Sequence, residues 1–253
     1  MKTLIKKVIN NFGFDLVAYK PSNNSSLEAF PDLSDEERQI VSTVQPFTMT
    51  SIERIACLIN AVSYITNNKI AGDFAECGVW RGGSMMTVAL TLLAHNDTSR
   101  KLYLYDTFEG MSSPTQFDKS FDGVSAQSQM NREQGKWCYA SIEDVRQNIL
   151  STGYPEENIC FVKGKVEDTI PETLPTNLAL LRLDTDWYES TKHELTHLCP
   201  RLAPEGVLII DDYGHWQGAR KAVDEYFAGQ NRKIYFHRID YTGRIAVGIN
   251  NLN

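Results

Sequence analysis

The chain has 253 residues, 42% of them hydrophobic and 23% charged, with a formal net charge of −7 and no sustained basic run. That length makes one large domain or two small ones and buries a sizeable core without disulfides or a structural metal, while the acidity argues against a nucleic-acid partner held by phosphate neutralisation. No apolar run reaches the ~18 residues of a membrane span, and the N-terminus lacks the apolar stretch of a secretion signal. Five cysteines (Cys57, Cys77, Cys138, Cys160, Cys199) form no CxxC pair and leave one unmatched, the usage of a reducing compartment. The expectation is a cytoplasmic globular protein.

Residues 1–45 read as a helical appendage and linker, and 46–253 as the main domain. Leu4, Ile5, Val8, Ile9 and Phe12 share one helical face beside Lys2, Lys6 and Lys7. Such a helix docks on its own domain or on a second subunit, so a homo-oligomer is expected; the alternative is weak peripheral contact with an anionic membrane surface. Residues 20–36 are rich in turn formers and read as a linker. Ile52 to Val62 then gives a helix. Asp73 to Cys77 is a strand running into Gly78-Val-Trp-Arg-Gly-Gly-Ser84, and a helix with Met85, Val88, Ala89, Leu92 and Leu93 follows. Leu102 to Tyr105 is a strand closed by Asp106. Ser141-Ile-Glu-Asp144 has the form of a capping box opening a helix to Leu150. Strands follow at Ile159–Val162 and at Leu178–Leu183, the latter ending in Asp184-Thr-Asp186. A helix runs to Cys199 and stops at Pro200. Val207–Ile210 is a strand ending in Asp211-Asp212, Trp216–Phe227 a helix, and two last strands lie near Ile234–His237 and Ile245–Ile249.

Alternating strands and helices make an α/β domain with a parallel sheet covered on both faces. The closing strand–turn–strand leaves no room for a crossover helix, so that pair is expected to be antiparallel. Residues 111–140 show no period but carry Phe117, Phe121, Met130, Trp137 and Tyr139. An aromatic insertion of this kind reads as a lid.

Ligands of open α/β sheets bind beyond the carboxyl ends of the strands. Glu76, Asp106, Asp184, Asp186, Asp211 and Asp212 all fall on that rim, and like charges gathered there call for a neutralising partner. Gly78, Gly82 and Gly83 let the backbone approach a ligand, and Asp106 is placed to accept from two ribose hydroxyls. The turn is not G-x-G-x-x-G. With an acid at Glu76 it suits a cationic, adenosine-containing cofactor such as S-adenosylmethionine better than a pyrophosphate. Asp184, Asp211 and Asp212 offer hard oxygens that suit Mg²⁺, and a neighbouring carboxylate can take a substrate proton. His193-Glu-Leu-Thr-His197 matches the H-E-x-x-H signature of zinc proteases. Leu195, Leu198, Cys199 and Tyr188 share the other side of that helix, which puts both histidines on its solvent face, and no Gly-x-x-His extension follows. A zinc metalloprotease is therefore the minor alternative.

The chain resembles the macrocin O-methyltransferase family of sugar O-methyltransferases. The resemblance rests on Phe47-Thr-Met-Thr, Glu76-x-Gly-Val-Trp-Arg-Gly-Gly, Asp106-Thr-Phe-Glu-Gly, Gly164 to Pro171, Leu181-Arg-Leu-Asp-Thr-Asp-x-Tyr, Pro200-Arg-Leu-x-Pro-x-Gly and Ile209-Ile-Asp-Asp-Tyr, in order over about residues 45–230. It implies a class I methyltransferase (Rossmann-like) fold, a seven-stranded, mostly parallel sheet with a C-terminal antiparallel hairpin. It also implies an S-adenosylmethionine- and Mg²⁺-dependent enzyme of the EC 2.1.1 class acting on a small-molecule glycoside or glycan. Glu76, Gly78, Trp80, Arg81 and Ser84 would surround the methionine end of the cofactor, Met49 would lie near the sulfonium, and Asp106 would hold the ribose. Ser141, Gly164 and Lys165 would flank the adenine. Asp184, Asp211 and Asp212 would hold the metal, with Asp184 the first candidate for general base and Asp186 the second. A metal-dependent phenol or catechol O-methyltransferase uses similar strand ends and is the alternative within enzymes.

Overall fold

A computed structural model describes residues 27–133, 137–229 and 233–250; the expected basic helix at Leu4–Phe12 lies outside the described residues. The strands are β1 (Asp73–Cys77), β2 (Leu102–Asp106), β3 (Ile159–Lys163), β4 (Leu178–Leu183), β5 (Leu202–Ile210), β6 (His237–Arg238) and β7 (Arg244–Val247). They form one sheet in the order β3-β2-β1-β4-β5-β7-β6. β1 to β5 are parallel, and β7 runs antiparallel to both β5 and β6, as the short final connection requires. All six residues of β4 and four of five in β1 are buried. Strands covered on both faces carry such apolar runs, which is why they stood out in the sequence.

The helices are α1 (Asp35–Val44), α2 (Ile52–Asn67), α3 (Gly83–Ala94), α4 (Ala126–Arg132), α5 (Ile142–Leu150), α6 (Val166–Thr169), α7 (Tyr188–His197) and α8 (Gln217–Ala228). α3 buries most of its length against α1, α2 and α5, and α7 packs against α8. The chain divides into two units, Met1–Asp32 and Leu33–Asn253. The described part of the first carries one 3-10 turn, Leu27–Ala29; the second holds the sheet. The expected boundary at residue 45 falls inside this second unit, because α1 buries Ile40, Val41 and Val44 and packs on α2 and α3.

Several elements differ from the expectation: the strand expected near Ile234–His237 is the two-residue β6, and α6 was not foreseen. α1 begins inside the stretch read as a linker. Ser34 caps it by accepting from the Glu37 N–H, and Glu37 accepts in return from the Ser34 N–H at 2.7 Å, a complete capping box. β5 starts at Leu202 rather than Val207, with a register shift against β4 that accommodates Pro204, since a bulge spares proline the ladder bond it cannot donate. Residues 111–140, expected to be irregular, hold α4 and are tied down by a bridge between Ser120 and Trp216.

Candidate active site

The loop after β1 runs across the end of β4. Gly78 has φ +83°, and a Cβ there would overlap the carbonyl oxygen of Asp184, so only glycine lets the two segments meet. Asp106 fastens this loop from the end of β2. Its Oδ2 accepts from the N–H groups of Val79 at 2.7 Å and Trp80 at 3.1 Å, and its Oδ1 from Phe108 at 2.7 Å. Burial raises the Asp106 pKa against these three donors. Each oxygen accepts more than one hydrogen bond, so capacity for a ribose hydroxyl remains.

A cavity of about 310 Å³ opens at these strand ends, within the range of small-molecule sites. Met49, Gly78, Trp80, Ser84, Asp106, Gly164 and Lys165 line it, as do Asp184, Asp186, Asp211 and Asp212. The other three expected cofactor residues lie off the lining. Arg81 donates to Asp144 at 3.0 Å and to the Pro46 carbonyl, and lies over the Phe47 ring. Ser141 is the N-cap of α5, accepting from the Asp144 N–H. Glu76 is 1% exposed, beneath the cavity floor. Arg81 and Ser141 thus brace the glycine loop and α5 to each other through Asp144.

Glu76 has a partner that the sequence reading passed over. Arg182 stands beside it in the parallel register and is itself buried. Its Nη1 donates to Glu76 and, at 2.6 Å, to Asp184 Oδ2; its Nη2 donates to Asp211 Oδ1 at 2.5 Å. Arg54 of α2 takes the other Asp211 oxygen and pairs through Nε with Asp240 at 3.0 Å. Two guanidiniums therefore supply much of the positive charge that the acidic rim demands. Burial pushes the Glu76 carboxyl up to about 7, against the opposing pull of Arg182. The signal for Arg182 was a charged residue inside an otherwise apolar strand, which stays buried only when paired.

The remaining acids face one another. Asp184, Asp186 and Asp212 each bring a carboxylate oxygen within 4.8 Å of the others, the arrangement able to hold a cation among the described residues. Asp211, expected beside Asp184 and Asp212 as a metal ligand, has both oxygens bonded to arginines, and Asp186 lies with the other two. Asp212 Oδ2 is buried without a hydrogen-bond partner. Burial, then Asp186 and Asp211, drives the Asp212 pKa well up; Asp184 is likewise raised by burial, against Arg182. Asp186 is pushed up to about 7, chiefly by burial. It sits at φ +68°, and the Trp187 N–H donates to the Thr185 carbonyl across it at 2.8 Å.

Beside these acids stands an aromatic wall. Trp137, Trp187 and Trp216 meet with ring centroids 5.0–5.9 Å apart, and His215 lies edge-on to Trp216, Phe121 and Tyr241. On α7, His193 and His197 sit side by side with centroids 4.5 Å apart, and the His193 Nε2 bonds the Ile170 carbonyl. Both are half-buried rather than fully solvent-facing, while Glu194 between them is fully buried. The zinc-protease geometry, with both histidines and the acid turned to one cleft, is absent among the described residues.

The cavity and the mutually facing acids that line it lie at the carboxyl ends of the strands, where open α/β sheets bind their ligands. The chain belongs to the macrocin-O-methyltransferase (TylF) family, whose model matches residues 12–246. It is 35% identical over 196 residues, 78% of this chain and 73% of the relative, to the 8-demethyl-8-(2,3-dimethoxy-α-L-rhamnosyl)-tetracenomycin-C 4′-O-methyltransferase of Streptomyces olivaceus. It is 31% identical to the mycinamicin III 3″-O-methyltransferase of Micromonospora griseorubida, covering 88% of this chain and 86% of that enzyme. Among solved structures, the O-methyltransferase NovP superposes with a TM-score of 0.71 at 32% identity, over 79% of this chain and 81% of that one. The protein is an S-adenosylmethionine-dependent O-methyltransferase, and the protease alternative is set aside.

Proposed function

We propose that this enzyme methylates a sugar hydroxyl of a glycosylated natural product or glycan, and that Mg²⁺ assists it. The observation that carries the reading is the set of acids Asp184, Asp186 and Asp212, facing one another between the cofactor cavity and the aromatic wall. The relatives' names support the acceptor class, since they describe enzymes acting on a rhamnosyl tetracenomycin and on mycinamicin III. Five free cysteines support a cytoplasmic setting, and we take the enzyme to be a homo-oligomer.

The donor set fits a hard cation: carboxylate oxygens only, one of them buried and unpartnered. Asp184 and Asp212 would hold it, with Asp211 fixed behind them by Arg54 and Arg182. When bound, Mg²⁺ supplies Lewis-acid polarisation of the acceptor hydroxyl. When bound, S-adenosylmethionine supplies the electrophilic methyl group. The protein's own residues do the rest. Asp186 receives the acceptor proton at its carboxylate: among the described residues no arginine pairs with it, and a carboxyl raised to about 7 is matched to base catalysis near neutrality. Arg182 keeps Glu76, Asp184 and Asp211 at fixed spacing. Glu76 thereby holds negative charge beneath the methionine end of the cofactor, and Asp106 accepts from the ribose. Met49, Trp80 and Ser84 pack around the methionine end, and Gly164 and Lys165 flank the adenine. Aligning donor and acceptor in this way accounts for most of the acceleration.

Calorimetric titration of S-adenosylhomocysteine with and without Mg²⁺, followed by turnover on a panel of vicinal-diol glycosides and catechols, tests the proposal. Binding of both ligands and methylation of a glycoside are expected. Methylation of catechols alone would move the enzyme to the phenolic class, and a wild-type protein indifferent to Mg²⁺ and to chelators in both assays would remove the metal.

A further inference from the structure

The HExxH run plays no part in the function described so far, yet its glutamate occupies a costly position. Glu194 on α7 is 0% exposed, and a carboxyl buried that deeply is expensive unless it is paired. Among the described residues it has no ion-pair partner. Its Oε1 accepts from Thr185 Oγ1 at 2.8 Å, and its Oε2 is buried with no partner at all. The charged groups around it are acids, Glu167 of α6 and Asp184 at the end of β4, and the Cys77 thiol of β1 also faces it. Burial first, and then those acids, raise its pKa well above the ordinary carboxylate value.

Its single partner lies in the catalytic segment. Thr185 joins Asp184 to Asp186 and lines the cavity. Asp186 adopts φ +68°, and the Trp187 N–H closes a three-residue turn onto the Thr185 carbonyl. A non-glycine residue in such a turn is strained, and it persists only where its surroundings over-determine it. The Thr185 hydroxyl is the side-chain tether from this turn into the helix beneath.

We infer that Glu194 is a positioning residue: through Thr185 Oγ1 it holds the Asp184–Thr185–Asp186 turn in the form that turns the Asp186 carboxyl toward Asp212. It touches neither cofactor nor acceptor. An inward-facing acid on this helix serves the strand-end chemistry from below, while the histidines on either side face away. The importance of the turn rests on the proposed function; the tether itself does not.

Two measurements on the full chain separate these. Hydrogen exchange followed by mass spectrometry over residues 181–190 reads the turn, and calorimetric Mg²⁺ titration reads its consequence. Loss of a hydrogen bond of about 1.4 kcal/mol corresponds to roughly a tenfold change. Glu194→Leu and Thr185→Val should each speed exchange at Asp186 and Trp187 about tenfold relative to the amides of β4. Each should weaken Mg²⁺ by a similar factor and leave S-adenosylhomocysteine affinity within about twofold. The double variant should be no worse than either single one. Glu194→Gln, whose amide oxygen accepts the same bond, should stay within about threefold of wild type. Should Glu194→Leu fail to fold, Thr185→Val against Thr185→Ser decides alone. Wild-type exchange in Thr185→Val, or effects that multiply in the double variant, would overturn the inference. Loosened exchange in a protein whose wild type binds no Mg²⁺ would uphold the tether and defeat the metal reading instead.

Discussion

The two halves of the acidic rim are built on opposite principles. On the cofactor half, Asp106 is fastened by three backbone N–H donors and Glu76 is locked through one oxygen to a buried guanidinium, its Oε2 buried without a partner. On the acceptor half, Asp184, Asp186 and Asp212 have one another as close neighbours, with a single arginine contact at Asp184 and an orphaned oxygen on Asp212. Carboxylates anchored by donors of the fold hold geometry. Carboxylates left facing other carboxylates have spare affinity for a cation or a proton, as the proposed proton transfer requires.

The sharpest way to break the comparison is to remove the residue the two halves share. Arg182 touches Glu76, Asp184 and Asp211 at once, so Arg182→Met leaves buried Glu76 without an ion-pair partner among the described residues and leaves Asp211 with Arg54 alone, at a cost of about 3–5 kcal/mol. Urea unfolding should show a collapsed midpoint or no native baseline. Arg182→Lys should recover only part, because one ammonium cannot reproduce the planar fork. A midpoint for Arg182→Met near wild type would mean that the acids are already neutral without it. Next in size, Asp186→Asn should lower kcat by about 10²–10⁴ while leaving S-adenosylhomocysteine affinity intact. Turnover within a few-fold of wild type would return the role of base to Asp184.

The same division fixes a pH dependence. Glu76 and Asp186 are both raised to about 7 in the folded chain, from ordinary values of 4.5 and 3.8. Between those unfolded values and about 7 the native state keeps protons that the unfolded state has released. Stability of the metal-free, cofactor-free protein therefore falls as pH rises through that window and levels off above it. Glu76 alone contributes roughly 1–3 kcal/mol to the fall. Urea midpoints at pH 5 and pH 8 check this, and Glu76→Gln should flatten the difference. A midpoint that rises over the same interval would show Arg182 outweighing burial at Glu76.

Much of this was legible before any coordinates. Buried parallel strands are apolar runs, so β1 to β4 and the rim of acids that follows them could be read directly, and with them the direction of the site. α1 was hidden because Ser34-x-x-Glu37, a sufficient start signal, closes a stretch crowded with turn formers. Arg54 was invisible: nothing local to α2 says that it reaches Asp211, 157 residues away. That Asp186, rather than Asp211, faces Asp184 and Asp212 has a reason in backbone geometry. The left-handed φ at Asp186 turns its side chain toward Asp212, and an L-residue in that conformation does not announce itself in sequence. The rim was therefore readable as a set, whereas the assignment of its members required the backbone and the two arginines.

The smallest expected effect tests whether the chemistry was placed on the right side of α7. His193 and His197 sit outside both halves of the rim, and the hydrogen bond they supply is the one from the His193 ring to the Ile170 carbonyl. The net worth of such a bond is about 1 kcal/mol, and a tilted, half-buried pair adds little. His193→Ala/His197→Ala should shift the urea midpoint by no more than that, with kcat and the Mg²⁺ response unchanged. The variant should also lose affinity for immobilised nickel, since two imidazoles one helical turn apart can share an external metal. A tenfold fall in turnover would mean that the outer face of α7 communicates with the acids as strongly as its inner face does through Glu194. Satisfied and unsatisfied carboxylates would then no longer suffice to separate structure from chemistry in this site.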